Sequence, residues 1–134
     1  MISTELARAL RDSGLVWNPL KGDAFRIDQF ELDDETYVLS DLTIEAQQFS
    51  SGTVLGFNGT TEWALDSVAL DDALWLPRED QLRMLLGPVF RSLTAVDGFR
   101  VDAVIEGQPQ SFFGDVASDA YARALLVLLD ALVE

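Results

Sequence analysis

The chain reads as an α+β protein, a single domain over residues 1–134 in which antiparallel strands pack with N-terminal, central and C-terminal helices. Three observations carry that reading. Stretches of helical periodicity stand near both ends and around residue 80, and two groups of short β-branched and aromatic runs lie between them. The joints within each group are too short for parallel crossovers, so the strands should pair antiparallel. With 134 residues and an apolar fraction of 49%, the chain can bury roughly two thirds of its unfolded surface and needs neither metal nor disulfide to fold.

Ser3 is placed to cap a first helix that runs to about Ser13, with Leu6, Ala9 and Leu10 at helical spacing and Gly14 at its stop. Asn18-Pro19 and Lys21-Gly22-Asp23 then read as turns, and residues 24–28 alternate in the manner of a strand through Phe25 and Ile27. After an acidic loop at 31–35, the runs 37–40, 42–49 and 53–57 suggest an antiparallel meander, with Ser50-Ser51-Gly52 between the last two. Asn58-Gly59 is a strong hairpin dipeptide, yet Thr60 or Thr61 can cap a helix from Glu62 towards Leu70, and the helix is the preferred reading.

Pro77 opens a central helix with Glu79 and Asp80 in its first turn, Leu82, Leu85 and Leu86 on one side, and Gly87-Pro88 at its end. Residues 89–96, 99–106 and 110–113 form a second set of strands, joined at Asp97-Gly98 and Gly107-Gln108-Pro109. Ser118 is placed to cap the last helix, 119–133.

Composition excludes much of catalysis. The chain has no histidine and no cysteine, so Ser-His-Asp and Cys-His nucleophiles are absent, as are His/Cys zinc, haem and iron-sulfur sites. Against 9 Lys and Arg stand 23 Asp and Glu, a formal net charge of -14. That charge repels phosphate backbones and anionic lipid, so neither nucleic acid nor a membrane surface is an expected partner. The apolar stretch 124–129 stops at Asp130, far short of the ~20 residues a spanning helix needs. Residues 1–14 carry Glu5, Arg8, Arg11 and Asp12 rather than the continuous apolar stretch of a secretory signal, which predicts a cytoplasmic protein.

The remaining chemistry is carboxylate chemistry. Asp28, Glu31, Asp33, Asp34 and Glu35 offer oxygen ligands in one loop, but no EF-hand spacing is present. The same residues with Glu62 or Asp66 could furnish a carboxylate pair for a small enzyme, or a ligand or divalent-ion site, and this is the alternative to a binding function. Helix position accounts for Glu62 and Asp66, because both fall near a positive N-terminal end. Phe57-Asn58-Gly59-Thr60-Thr61-Glu62 has the look of a strand, turn and helix start, yet Glu62 stands where a phosphate would sit and no nucleotide-binding glycine motif is present. Lys21, beside Gly22 and Asp23, reads as a solvated turn residue. No cofactor and no metal are expected.

The segments Phe57 through Asp66 and Trp75-Leu76-Pro77-Arg78-Glu79-Asp80-Gln81-Leu82 resemble an uncharacterised family of short Gram-positive bacterial proteins. The opening Leu6-Ala7-Arg8-Ala9-Leu10-Arg11 and the late Ala120-Tyr121-Ala122-Arg123-Ala124-Leu125-Leu126 follow the same pattern. Members are sometimes labelled pilus assembly proteins, a name shared with an ATPase whose phosphate-binding loop this chain lacks, so that activity is not implied. The order of elements is also similar to that of small acidic type III secretion chaperones, which usually dimerise. That likeness is one of fold alone.

These readings together predict a non-catalytic, acidic protein-interaction or chaperone-like domain. Trp17, Trp63 and Trp75 are core candidates, but Trp75, between two expected helices, is the one placed to meet a partner. On the last helix Asp119, Arg123, Asp130 and Glu134 make one narrow polar stripe, while Ala120, Tyr121, Ala124, Leu125, Leu128, Leu129 and Leu132 cover the other faces. Leu126 and Val127 flank the stripe. With Trp75 they are the candidate contact residues for a protein partner or for self-association as a homodimer.

Overall fold

The computed structural model describes residues 1–27, 36–39, 44–49, 52–57, 67–69 and 72–133, with backbone alone for the strands between 44 and 69. Its elements run α1 (Thr4–Asp12), β1 (Ala24–Ile27), β2 (Thr36–Val38), β3 (Ile44–Phe49), β4 (Gly52–Phe57), β5 (Ser67–Ala69), β6 (Ala73–Leu76), α2 (Glu79–Leu86), β7 (Phe90–Val96), β8 (Gly98–Ile105), β9 (Gln108–Gly114) and α3 (Ala117–Leu132). The class is α+β, and every strand pair is antiparallel. The chain divides into two compact units: Met1–Val16 with Pro77–Glu134, and the inserted Trp17–Leu76.

The first unit is a three-stranded sheet, β7-β8-β9, carrying α3 on β8 and β9, with α1 and α2 packed against α3. α1 begins where the Ser3 side chain accepts a hydrogen bond from the Leu6 N–H, a cap worth about 1 kcal/mol. It ends in a Schellman motif: Gly14 N–H donates to Arg11 O, Leu15 N–H donates to Leu10 O, and Gly14 takes φ 104°. Ala7 and Leu10 are its buried residues.

α2 starts two residues after Pro77, with the Gln81 side chain accepting from the Arg78 N–H at 2.9 Å. Leu82 and Leu86 are buried, whereas Leu85, expected on the same side, is exposed. Gly87 at φ 60° and a single 3-10 turn, Gly87–Val89, end it. Strand β8 alternates as a half-buried strand should, burying Val101, Ala103 and Ile105 against the helical side. The turn into β9 is Glu106-Gly107, both at positive φ. This is one position earlier than the expected Gly107-Gln108-Pro109, because Gln108 already pairs with Ile105.

Two further expectations on α3 are corrected. Ser118 does not cap it. The cap position is Val116, and Ser118 is buried in the first turn. The N-terminal half is buried on nearly all sides, Arg123 excepted, because the sheet, α1 and α2 surround it.

In the second unit β1 is the centre of a sheet ordered β2-β1-β6, and β4 is the centre of one ordered β3-β4-β5. The expected meander of 37–57 is therefore interrupted: β3 and β4 form a hairpin, but β2 pairs with β1. The helix expected to reach Leu70 is replaced at Ser67–Ala69 by β5, which pairs with β4. Residues 58–66 lie outside the described residues.

The core of this unit is aromatic. Tyr37, Phe25 and Trp75 are direct cross-strand partners on β2, β1 and β6, which places their side chains on one face. Trp17 lies against that row, 5.4 Å from Phe25 and stacked 6.5 Å from Trp75 between ring centroids. Ile27, Leu39 and Ala73 complete the cluster.

Candidate interaction surface

Asp23 is the buried acid of the second unit, only 2% exposed. Its Oδ2 accepts from Trp17 Nε1 at 2.9 Å and from the Leu20 N–H at 3.0 Å. Leu20 through Asp23 form a turn closed by Asp23 N–H donating to Leu20 O, with Gly22 at φ 90°, where a type II turn needs glycine. This carboxylate fixes the entry into β1 and orients the Trp17 indole. Its role is structural.

In the first unit the sheet face opposite α3 carries a polar row across all three strands. Asp102 on β8 accepts from Ser92 Oγ on β7 at 3.0 Å, from Ser111 Oγ on β9 at 2.6 Å and from Arg100 Nε at 3.1 Å. The Ser111 hydrogen bond, then those from Ser92 and Arg100, hold its carboxyl below the usual carboxylate range. On α2, Arg78 does the same for Asp80. A general acid at neutral pH needs the opposite displacement. Burial raises the Tyr121 phenol, whose ring stacks on Phe90 beneath the Arg83 guanidinium.

An open groove of about 210 Å³ lies where β9 meets α3, lined by Asp97, Phe113, Gly114, Asp115, Asp119 and Arg123. It is smaller than the ~300–1,000 Å³ of a typical small-molecule pocket. Two of its side chains are already engaged: Asp119 Oδ1 accepts from the Ser3 N–H at 2.8 Å, and Arg123 Nη1 donates to the Phe113 carbonyl. Among the described residues no group of three or more His, Cys, Asp or Glu is placed to hold a metal ion. The acidic loop Asp28 to Glu35, Glu62 and Asp66 lie outside the described residues.

The expected contact residues fall in different places. Trp75 is not in a connection between helices. It is the half-buried partner of Phe25 on edge strand β6, and its buried Nε1–H meets no acceptor among the described residues. Leu126 and Val127 are half-buried on α3, so they belong to the first unit and Trp75 to the second.

Beyond Leu125 the burial of α3 falls away. Leu126, Val127, Leu128 and Leu129 are all half-buried, Leu132 is 71% exposed and Val133 77%. From Ala124 to Val133 the segment carries one charge, Asp130. This is where the apolar excess noted in the sequence is only partly covered. Leu132 was expected on a covered face, and the structure adds it and Val133 to the surface. The sequence signal for them is the apolar run itself, but only the place where α1, α2 and the sheet stop covering the helix shows which end is bare.

No helix among the described residues is long and apolar enough to cross a membrane. Comparison with protein-family models, with curated proteins and with solved structures returned no match.

Proposed function

We propose that this chain is a non-catalytic, cytoplasmic protein-interaction domain that docks through the distal half of α3, and that its first partner is a second copy of itself. The observation that carries the reading is the charge-poor, incompletely buried helix end. On a chain of net charge -14, a segment with Asp130 as its sole charge is where two copies can meet with little local repulsion. Exposed contiguous apolar surface of this kind marks association sites.

Sedimentation equilibrium at rising NaCl tests this. Two copies of an acidic chain repel at long range while their apolar helix ends attract, so moderate salt strengthens the dimer. A dimer that weakens as salt rises would contradict an apolar, charge-poor contact.

A further inference from the structure

The two-residue turn Glu106-Gly107, at φ 53° and 76°, makes Ile105 and Gln108 the hydrogen-bonded pair that closes the β8–β9 hairpin. Paired residues alternate from there. The C=O of Pro109 and the backbone N–H and C=O groups of Ser111 and Phe113 therefore face away from β8, along the edge of β9 that no other described strand pairs. Pro109 has no N–H to offer at that edge. The outward carbonyl of Phe113 is the one that accepts from Arg123 Nη1, so α3 places a guanidinium over it.

The opposite edge is blunted by the same means. On β8, Arg100 and Asp102 turn their backbone groups towards β7, which leaves those of Phe90, Leu93 and Ala95 outward. There the register shifts between Phe90 and Ser92. The Arg91 side chain folds back so that Nη1 donates to the carbonyls of Pro88 and Phe90. A bulge, a proline and edge cations are the devices by which sheets avoid pairing with a further strand.

We propose that Pro109, Arg123 and Arg91 are edge guards that prevent this sheet from accepting a strand of a second copy of the chain. Association is thereby confined to surfaces other than the sheet edges. The inference stands independently of the α3 interface, because its test reads sheet growth rather than dimerisation through a helix.

The experiment compares the wild type with Pro109→Val/Arg123→Ala by light scattering and infrared spectroscopy over a range of concentrations. The double variant is expected to form species larger than the wild type at the same concentration, with added intermolecular β signal. A double variant that keeps wild-type circular dichroism, mass and infrared spectrum at every concentration would overturn the proposal. Amide exchange in the wild type gives a reading free of any folding defect. The Ser111 amide should exchange within about tenfold of an unstructured amide, and the Phe112 amide at least about 100-fold more slowly. A Ser111 amide as protected as that of Phe112 would show that the edge is already paired or covered, and would also overturn it.

Discussion

Gly114 passes so close to Ala120 that a Cβ on Gly114 would stand 2.6 Å from the Ala120 backbone nitrogen. The same carbon would stand 2.9 Å from Asp119 Cβ and from the Val116 carbonyl. This contact sets the last residue of β9 directly against the first turn of α3. Backbone and Cβ atoms cannot swing aside, so Gly114→Ala should cost roughly 1–3 kcal/mol or more.

The described helices all belong to the first unit, and all three tryptophans, Trp17, Trp63 and Trp75, belong to the second. Far-ultraviolet circular dichroism at the helix band and tryptophan fluorescence thus report the two units separately. Gly114→Ala should lower the midpoint of the helix signal in a urea titration. A shift confined to the fluorescence transition would contradict the assignment of this contact.

Removing the Asp23 carboxylate leaves a buried indole N–H and the Leu20 N–H without an acceptor. Asp23→Ala should therefore destabilise the second unit by about 1–3 kcal/mol, read from the fluorescence transition. Trp75→Phe is the counterpart: it deletes an N–H that has no acceptor among the described residues and keeps an aromatic ring in the row. Its cost should stay below about 1 kcal/mol despite the lost volume. Equal losses from the two substitutions would refute the distinction.

The lowered carboxyl of Asp102 gives a pH dependence with a definite sign. A group whose folded pKa lies below its unfolded value contributes stability above the unfolded value, near 3.8. That contribution is lost as pH falls through the unfolded and then the folded value. Asp102→Asn should remove this component, so the stability of the variant measured by urea unfolding falls less between neutral and acidic pH than that of the wild type. Parallel curves for the two proteins would show that Ser92, Ser111 and Arg100 favour no particular charge state.

Net repulsion among the surface carboxylates should be relieved by screening. Raising NaCl from about 10 to about 300 mM, which shortens the Debye length from ~30 Å to under 10 Å, should raise Tm. A steady fall in Tm over that range would mean that attractive ion pairs dominate.

Local signals made the first unit readable. Ser3 and Gly14 bound α1 as their side-chain chemistry and backbone freedom require, and the turn residues near 97 and 107 mark the ends of β8. Errors arose where distant partners decide. Ser118 looks like a cap, but the helix already starts at Ala117 and the serine is buried in its first turn. Leu74-Trp75-Leu76 is a short apolar run whose period cannot distinguish strand from connection, and it becomes β6 only because β1 is there to pair with it. The same holds for Ser67–Ala69, a strand through its register with β4. Asp23 read as an ordinary turn acid, because nothing local says that the Trp17 indole needs it. The candidate surface was legible as an excess of apolar residues on the last helix, but its location depends on how far α1, α2 and the sheet extend along that helix.

Light scattering on size-exclusion chromatography of the wild type, Leu126→Glu and Leu132→Glu/Val133→Glu tests the proposed function most directly. Leu132 and Val133 are exposed in the protomer, so their replacement should leave circular dichroism unchanged. The account predicts a wild-type dimer at tens of micromolar, taken there as roughly the range of a micromolar Kd, and a folded monomer for each variant. A wild type that remains monomeric at the highest concentration, or a dimer indifferent to all of these substitutions, would contradict it.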